Sequence, residues 1–260
     1  MAHDDPFDEG RPQSGAADPL EPFAAQVISI LCDRQIKTPS GARQAILDRL
    51  VKMVTSRTAF DPVLVMEELR GRRLTIDNII DLYIPEVATA LGSLWTLSEI
   101  DFASVTVGAL RLQALLDEAS SQNIPLPQLK YDVPLALIVV PEGEQHFLGA
   151  SVVGAQLKRL GCDVGMSIAE PEEQIVNRVL HDMPDMVLMS SARTATLETI
   201  ARTAKTIKAE VAPTPVLALG GAFDGDINRI KEVTGVDLVT KSPKDVIRLY
   251  MKRRKVLGQK

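Results

Sequence analysis

The spacing of apolar and polar positions divides the chain into two halves with different periods. From about residue 22 to residue 122, apolar side chains recur at helical spacing. Phe23, Val27, Ile28, Ile30 and Leu31 make one stripe. Ala45, Ile46, Leu50, Val51 and Val54 make a second, opened by Pro39-Ser40-Gly41, which supplies a stop and a cap. Val63, Leu64, Met66 and Leu69 form a shorter third before Gly71. A fourth begins at Thr75-Ile76-Asp77 and continues through Ile79, Ile80, Tyr83, Ile84, Val87 and Leu91. Pro85 falls inside it and predicts a kink or a restart. The fifth runs through Phe102, Val105, Val107, Leu110, Leu112, Leu115 and Leu116. Helices joined by short connections predict an antiparallel bundle over 21–122.

After a Pro-bearing linker (Pro125, Pro127) the period changes. Short apolar runs at 135–140, 164–168, 186–189, 216–219 and 237–239 alternate with helical patterns at 147–160, 172–181, 195–209, 226–233 and 243–254. Strands alternating with helices predict a parallel five-stranded sheet covered on both faces. Right-handed crossovers favour a flavodoxin-like, Rossmann-like order over 132–255. The fold class expected is therefore α + α/β, a helical bundle followed by a doubly wound sheet. Residues 1–20 hold Asp, Gly, Pro and Ala but few large apolar side chains, the composition of a disordered acidic arm. One imidazole, His3, lies in it.

Composition narrows the function classes. Only 4% of residues are aromatic, with a single Trp, so no base-stacking platform is expected. A net charge of −5 argues against direct, sequence-specific DNA binding. The basic run Lys252-Arg253-Arg254-Lys255 reads as a solvated helix end, where cations suit the dipole. Cys32 and Cys162 lie far apart without CxxC spacing, which fits a reducing cytoplasm. No apolar run reaches membrane-spanning length, so no membrane partner is expected.

The candidate chemistry sits in three loops that a doubly wound sheet would bring to one edge. The apolar run ending at Val140 is followed by Pro141-Glu142-Gly143-Glu144-Gln145-His146, then Phe147-Leu148-Gly149. A loop His can donate a ring nitrogen to a metal, and a nearby carboxylate can hold the other nitrogen and fix the tautomer. Taken alone, such a His is more often only a solvated loop residue. The third strand run leads into Ser190-Ser191-Ala192-Arg193-Thr194-Ala195-Thr196, dense in hydroxyls, as any helix N-cap can be. The fourth leads into Gly220-Gly221, where the backbone can approach a bulky ligand, or simply turn. Each loop alone is a weak signal, and the three together are far more specific.

Glu144-x-His146-x-x-Gly149, Ser190-x-Ala192 and Gly220-Gly221 together resemble the cobalamin-binding domain, whose pattern is Asp-x-His-x-x-Gly, Ser-x-Leu and Gly-Gly. The resemblance implies that His146 is the lower axial ligand of cobalt, with Glu144 and Ser190 as the relay behind it. It further implies that the nucleotide tail enters the sheet between the Ser190 loop and Gly220-Gly221, beside Thr194 and Thr196. Glu stands at 144 in place of Asp, which makes the relay one methylene longer. Phe147 and Ala150 stand where corrinoid enzymes often carry polar residues.

The segment Ala90-Leu91-Gly92-Ser93-Leu94-Trp95 is similar to the cap of light-sensing cobalamin regulators, which would put Trp95 over the upper face of the corrin. Those regulators carry a Glu-His pair ten residues beyond the Trp, where this chain has Val105-Thr106. They also carry an N-terminal winged helix, for which the acidic arm is too short. The combination resembles the AerR/PpaA family of purple bacteria, cobalamin-dependent antirepressors of the CrtJ/PpsR repressor. The resemblance implies a cytoplasmic, non-enzymatic sensor holding adenosylcobalamin or hydroxocobalamin. A core role for Trp95, a methyltransferase's corrinoid carrier and a haem sensor are the alternatives.

Overall fold

Three strands are apolar on both faces, which makes them the inner members of a parallel sheet. β1 (Leu135–Val140), β3 (Met186–Ser190) and β4 (Val216–Gly220) bury almost every residue. The half-exposed β2 (Asp163–Ile168) and the short β5 (Leu238–Val239) form the edges. The order is β2-β1-β3-β4-β5 with every pair parallel, as the alternation predicts. Its switch point lies between β1 and β3. The structure, a computed structural model, describes residues 41–122, 133–144, 147–191, 194–221 and 226–257. The acidic arm, its His3 and the first helical stripe (23–31) lie outside the described residues, as do His146, Ala192 and Arg193.

Side-chain alternation sends successive strand residues to opposite faces, and two separate cores result. On one face, α6 (Phe147–Arg159) and α10 (Pro243–Leu257) pack Ala150, Leu157, Val246 and Tyr250 against Ile138, Met186, Leu188 and Ala218. On the other, α7 (Glu172–Asp182), α8 (Leu197–Glu210) and α9 (Ile227–Thr234) pack Ile175, Ile200, Ile207 and Ile230 against Val139, Val187, Met189 and Leu217.

Carboxylates close the amino edge of the sheet. Asp185 accepts the Leu135 amide and Asp237 the Leu217 amide, each at 2.8 Å. Asp237 also pairs with Arg253 at 2.9 Å and Lys208 at 3.2 Å, tying α8 and α10 to the start of the β4–β5 edge. Burial pushes the Asp237 carboxyl upward, but the Arg253 hydrogen bond, the Leu217 amide and the two cations outweigh it and hold it below 3.8. A carboxyl lowered by folding adds stability that is complete above its unfolded pKa and is lost as pH falls through the folded value. Asp237→Ala should therefore cost about 1–3 kcal/mol at neutral pH, mainly by stranding the Leu217 amide. Urea melts at pH 7 and pH 3 check this, and the difference from wild type should narrow at the lower pH.

The helical half comprises α1 (Gly41–Thr55), α2 (Pro62–Gly71), the single turn α3 (Ile76–Asn78), a π segment (Ile79–Tyr83), α4 (Ile84–Thr96) and α5 (Phe102–Ser121). Asp61 caps α2 by accepting the Val63 and Leu64 amides, and Asp101 caps α5 by accepting the Ser104 amide. As the sequence predicts, the helix restarts at Pro85, which stands in the first turn of α4. The proline cannot donate a backbone bond, and the ladder widens just before it, with the Ile84 amide reaching Ile79. The predicted stripes overreach in two places. Val63 and Leu64 at the start of α2, and Phe102, Val107 and Leu110 on α5, are exposed. Their helices bury one face only, and these residues lie off it.

The two halves share one helix. Val152 and Ala155 of α6 join the core of the helical half with Ile79, Ile80 and Leu91, while Ala150 and Leu157 face the sheet. Arg159 pairs with Asp77 and Asp81, and Gln156 donates to Asp81 at 2.9 Å. A boundary drawn by period alone misses that α6 belongs to both cores.

Candidate functional site

At the carboxyl edge, β1 ends in a tight turn. The Glu144 amide donates to the Pro141 carbonyl at 3.1 Å, and Gly143 at φ +83° takes the position where a type II turn requires a left-handed residue. The turn folds Glu144 inward, leaving it only 5% exposed. An acidic side chain is seldom buried so deeply on a loop. His146 follows two residues later, outside the described residues, and α6 starts at Phe147. Gly149 lies in the first turn of α6, exposed, and a Cβ added there would meet nothing within 4 Å.

The other two predicted loops are brought together directly. Ser190 and Gly220 are register partners on adjacent strands, and the Ser191 amide donates to the Gly220 carbonyl at 3.0 Å. By alternation both share the face covered by α6 and α10. On that face the side chains shrink toward the edge, from Met186 through Leu188 to Ser190 and from Val216 through Ala218 to Gly220. At the strand ends Ser190 and Gly220, both half-buried, leave the least side-chain bulk on that face. A Cβ at Gly220 would meet only the Thr240 carbonyl, at an ordinary 3.5 Å. Protein packing does not demand the glycine. Gly221 is different, since its φ of +153° itself favours glycine. Ser191 and Thr196 are buried and hydrogen-bonded to each other, whereas Thr194 is exposed on the turn before α8.

The helical half meets α6 through α3 and the π segment, where Asp77 and Asp81 pair with Arg159 and Asp81 accepts from Gln156. Trp95 lies further along, in the last turn of α4. It is half-buried and tilts against Phe102, with centroids 6.1 Å apart and planes at 58°. Phe102 is 65% exposed and reads from sequence as core; the break between α4 and α5, which puts it beside Trp95, was the available signal. Being half-exposed, Trp95 cannot carry the 3–5 kcal/mol of a fully buried ring. Trp95→Ala should cost the ligand-free protein no more than about 1.5 kcal/mol, the scale of an aromatic pair. Calorimetric melting checks this.

A cleft of about 290 Å³ opens at the same edge on the opposite face. Val139, Ile175, Met189 and Ile200 floor it, and Glu170 and Glu172 on its rim are paired with Arg178 and Arg202. It touches Gly143 but neither Ser190 nor Gly220. Among the described residues no cluster of His, Cys, Asp and Glu could hold a metal ion, and no helix is long and apolar enough to cross a membrane.

The sequence matches the B12 binding domain family over residues 134–245. It is 29% identical over 177 residues to an uncharacterized 20.5 kDa protein from the bchF–crtJ intergenic region of Rhodobacter capsulatus, covering 68% of this chain and 92% of that one. Its fold is similar to the monomethylamine corrinoid protein of Methanosarcina barkeri, with a TM-score of 0.65 at 19% identity over 81% of this chain and 99% of that one. The register pair Ser190 and Gly220, where no packing contact requires the glycine, is compatible with a group inserted between the strand ends. Over residues 134–245, from just before β1 to the start of α10, the chain therefore carries a B12-binding domain, with cobalamin as its cofactor.

Proposed function

We propose that the chain is a non-enzymatic, cytoplasmic cobalamin sensor of the AerR/PpaA kind that acts on a CrtJ/PpsR-type repressor. The observation that carries this reading is the relative from the bchF–crtJ region, matched over 92% of its length. A corrinoid supplies a cobalt whose upper ligand exchanges and, in alkyl forms, is light-labile. In this reading His146 holds the lower face, with Glu144 and Ser190 behind it. Gly149 and Gly220-Gly221 leave room for the tail, flanked by the hydroxyls of Thr194 and Thr196. Trp95 and Phe102 cover the upper face.

Occupancy becomes output through α6. That helix begins one residue after His146 and is shared by both cores, so a shift at the loop is carried into Ile79–Tyr83 through Val152, Ala155 and the Arg159 contacts. Different upper ligands act only through the difference in their binding to the two cap positions. A difference of about 1–3 kcal/mol changes partner affinity several-fold or more. The test is a pull-down of a CrtJ/PpsR-type repressor by the apo protein, by dark adenosylcobalamin-loaded protein and by hydroxocobalamin-loaded protein. Capture should differ at least five-fold between the loaded forms. Equal capture in all three states would replace the sensor by a corrinoid carrier.

A further inference from the structure

The cations of α10 are not explained as a helix end. Lys252–Lys255 occupy its last turns, where cations complement the helix dipole, but Lys244 and Arg248 lie in its first half, where the dipole does not favour them. Lys244, Arg248, Lys252 and Lys255 follow at spacings of four, four and three, so they form one exposed stripe about 16 Å long. Arg248 pairs with Asp245 on its own helix, and Lys244, Lys252 and Lys255 have no ion-pair partner among the described residues. Six cations against Asp245 give α10 a formal charge of +5.

The opposite charge is concentrated at the other end of the chain. Residues 1–21 hold Asp4, Asp5, Asp8, Glu9, Asp18 and Glu21 against Arg11, a formal −5. That equals the net charge of the whole protein, so the other 239 residues are formally neutral. We propose that the acidic segment 1–21 docks on the basic stripe of α10 within the same chain. Charge complementarity selects the occupant, and length allows it. The nineteen residues between Glu21 and Gly41, twenty Cα steps, can span roughly 65 Å, more than the diameter of about 45 Å expected for a folded body of this size. Asp4-Asp5 and Asp8-Glu9 lie four residues apart, about 13 Å in an extended chain, against about 12 Å between Lys244 and Lys252. The docked segment shields α10 from other anionic surfaces, so any anionic partner of α10 must displace it. None of this depends on the corrinoid.

The experiment is zero-length carbodiimide cross-linking of the full chain at low salt, read by mass spectrometry. Intrachain links from the acidic segment to Lys244, Lys252 or Lys255 are expected, and raising salt to about 0.5 M should suppress them. In the full chain carrying Lys244→Glu and Arg248→Glu, with its circular dichroism unchanged, links to Lys252 and Lys255 should fall at least five-fold, while links formed by Lys52 of α1, in the helical half, stay the same. Links spread evenly over the surface lysines, or unmoved by the charge reversal, overturn the proposal. Links found only between chains overturn it in favour of a second copy.

Discussion

Gly220→Leu should abolish cobalamin binding, by about 100-fold or more, while the ligand-free protein still folds. Its register partner is Ser190, and the two sit at the strand ends where the side chains of β3 and β4 become small. The Cβ has room, with the Thr240 carbonyl at 3.5 Å as its nearest neighbour, so the fold should tolerate the change while the larger side chain takes space from the proposed tail site. A hundred-fold loss corresponds to about 2.7 kcal/mol, well within what steric exclusion of a bulky group can cost. Gly221 is the poorer site for this test, because at φ +153° any side chain strains the backbone and binding loss could not be told from misfolding. Titration with hydroxocobalamin, alongside thermal melting of the ligand-free variant, checks both halves. Wild-type affinity in Gly220→Leu would remove the tail from this site.

The second large effect is expected at His146. His146→Ala should shift the visible spectrum of the bound corrinoid and weaken its retention at least ten-fold, about 1.4 kcal/mol. Glu144→Ala should give a smaller change of the same kind, because a carboxylate that orients a ligating imidazole tunes the bond without forming it. At 5% exposure, that carboxylate has little access to solvent. Gel filtration of the loaded variants, with spectra before and after, separates the two residues. An unchanged spectrum in His146→Ala would mean that another group ligates the cobalt.

The sheet half was legible because its signals are local. Apolar runs bounded by Gly and Pro placed β1 to β5 within two residues of their observed ends, and the crossover rule then fixed their order. The pairing of Ser190 with Gly220 was legible for the same reason, since both follow from strand ends at one edge. The taper behind them is also written in the sequence, once alternation is assigned to a face. What could not be read depends on long-range packing. No period distinguishes the face of α6 that joins the helical half from the one on the sheet, because both are apolar. Phe102, Val107 and Leu110 look like core for the same reason, and only the packing of α5 leaves them out. The burial of Asp237 is invisible because its partners are 20 residues away at Leu217 and 16 away at Arg253.

The most direct test of the central claim is the absorption spectrum of the purified protein, as isolated and after loading with cobalamin in the dark. The account predicts an equimolar corrinoid that survives gel filtration and whose spectrum changes in His146→Ala. Failure to retain any corrinoid, or a haem spectrum in its place, would contradict it.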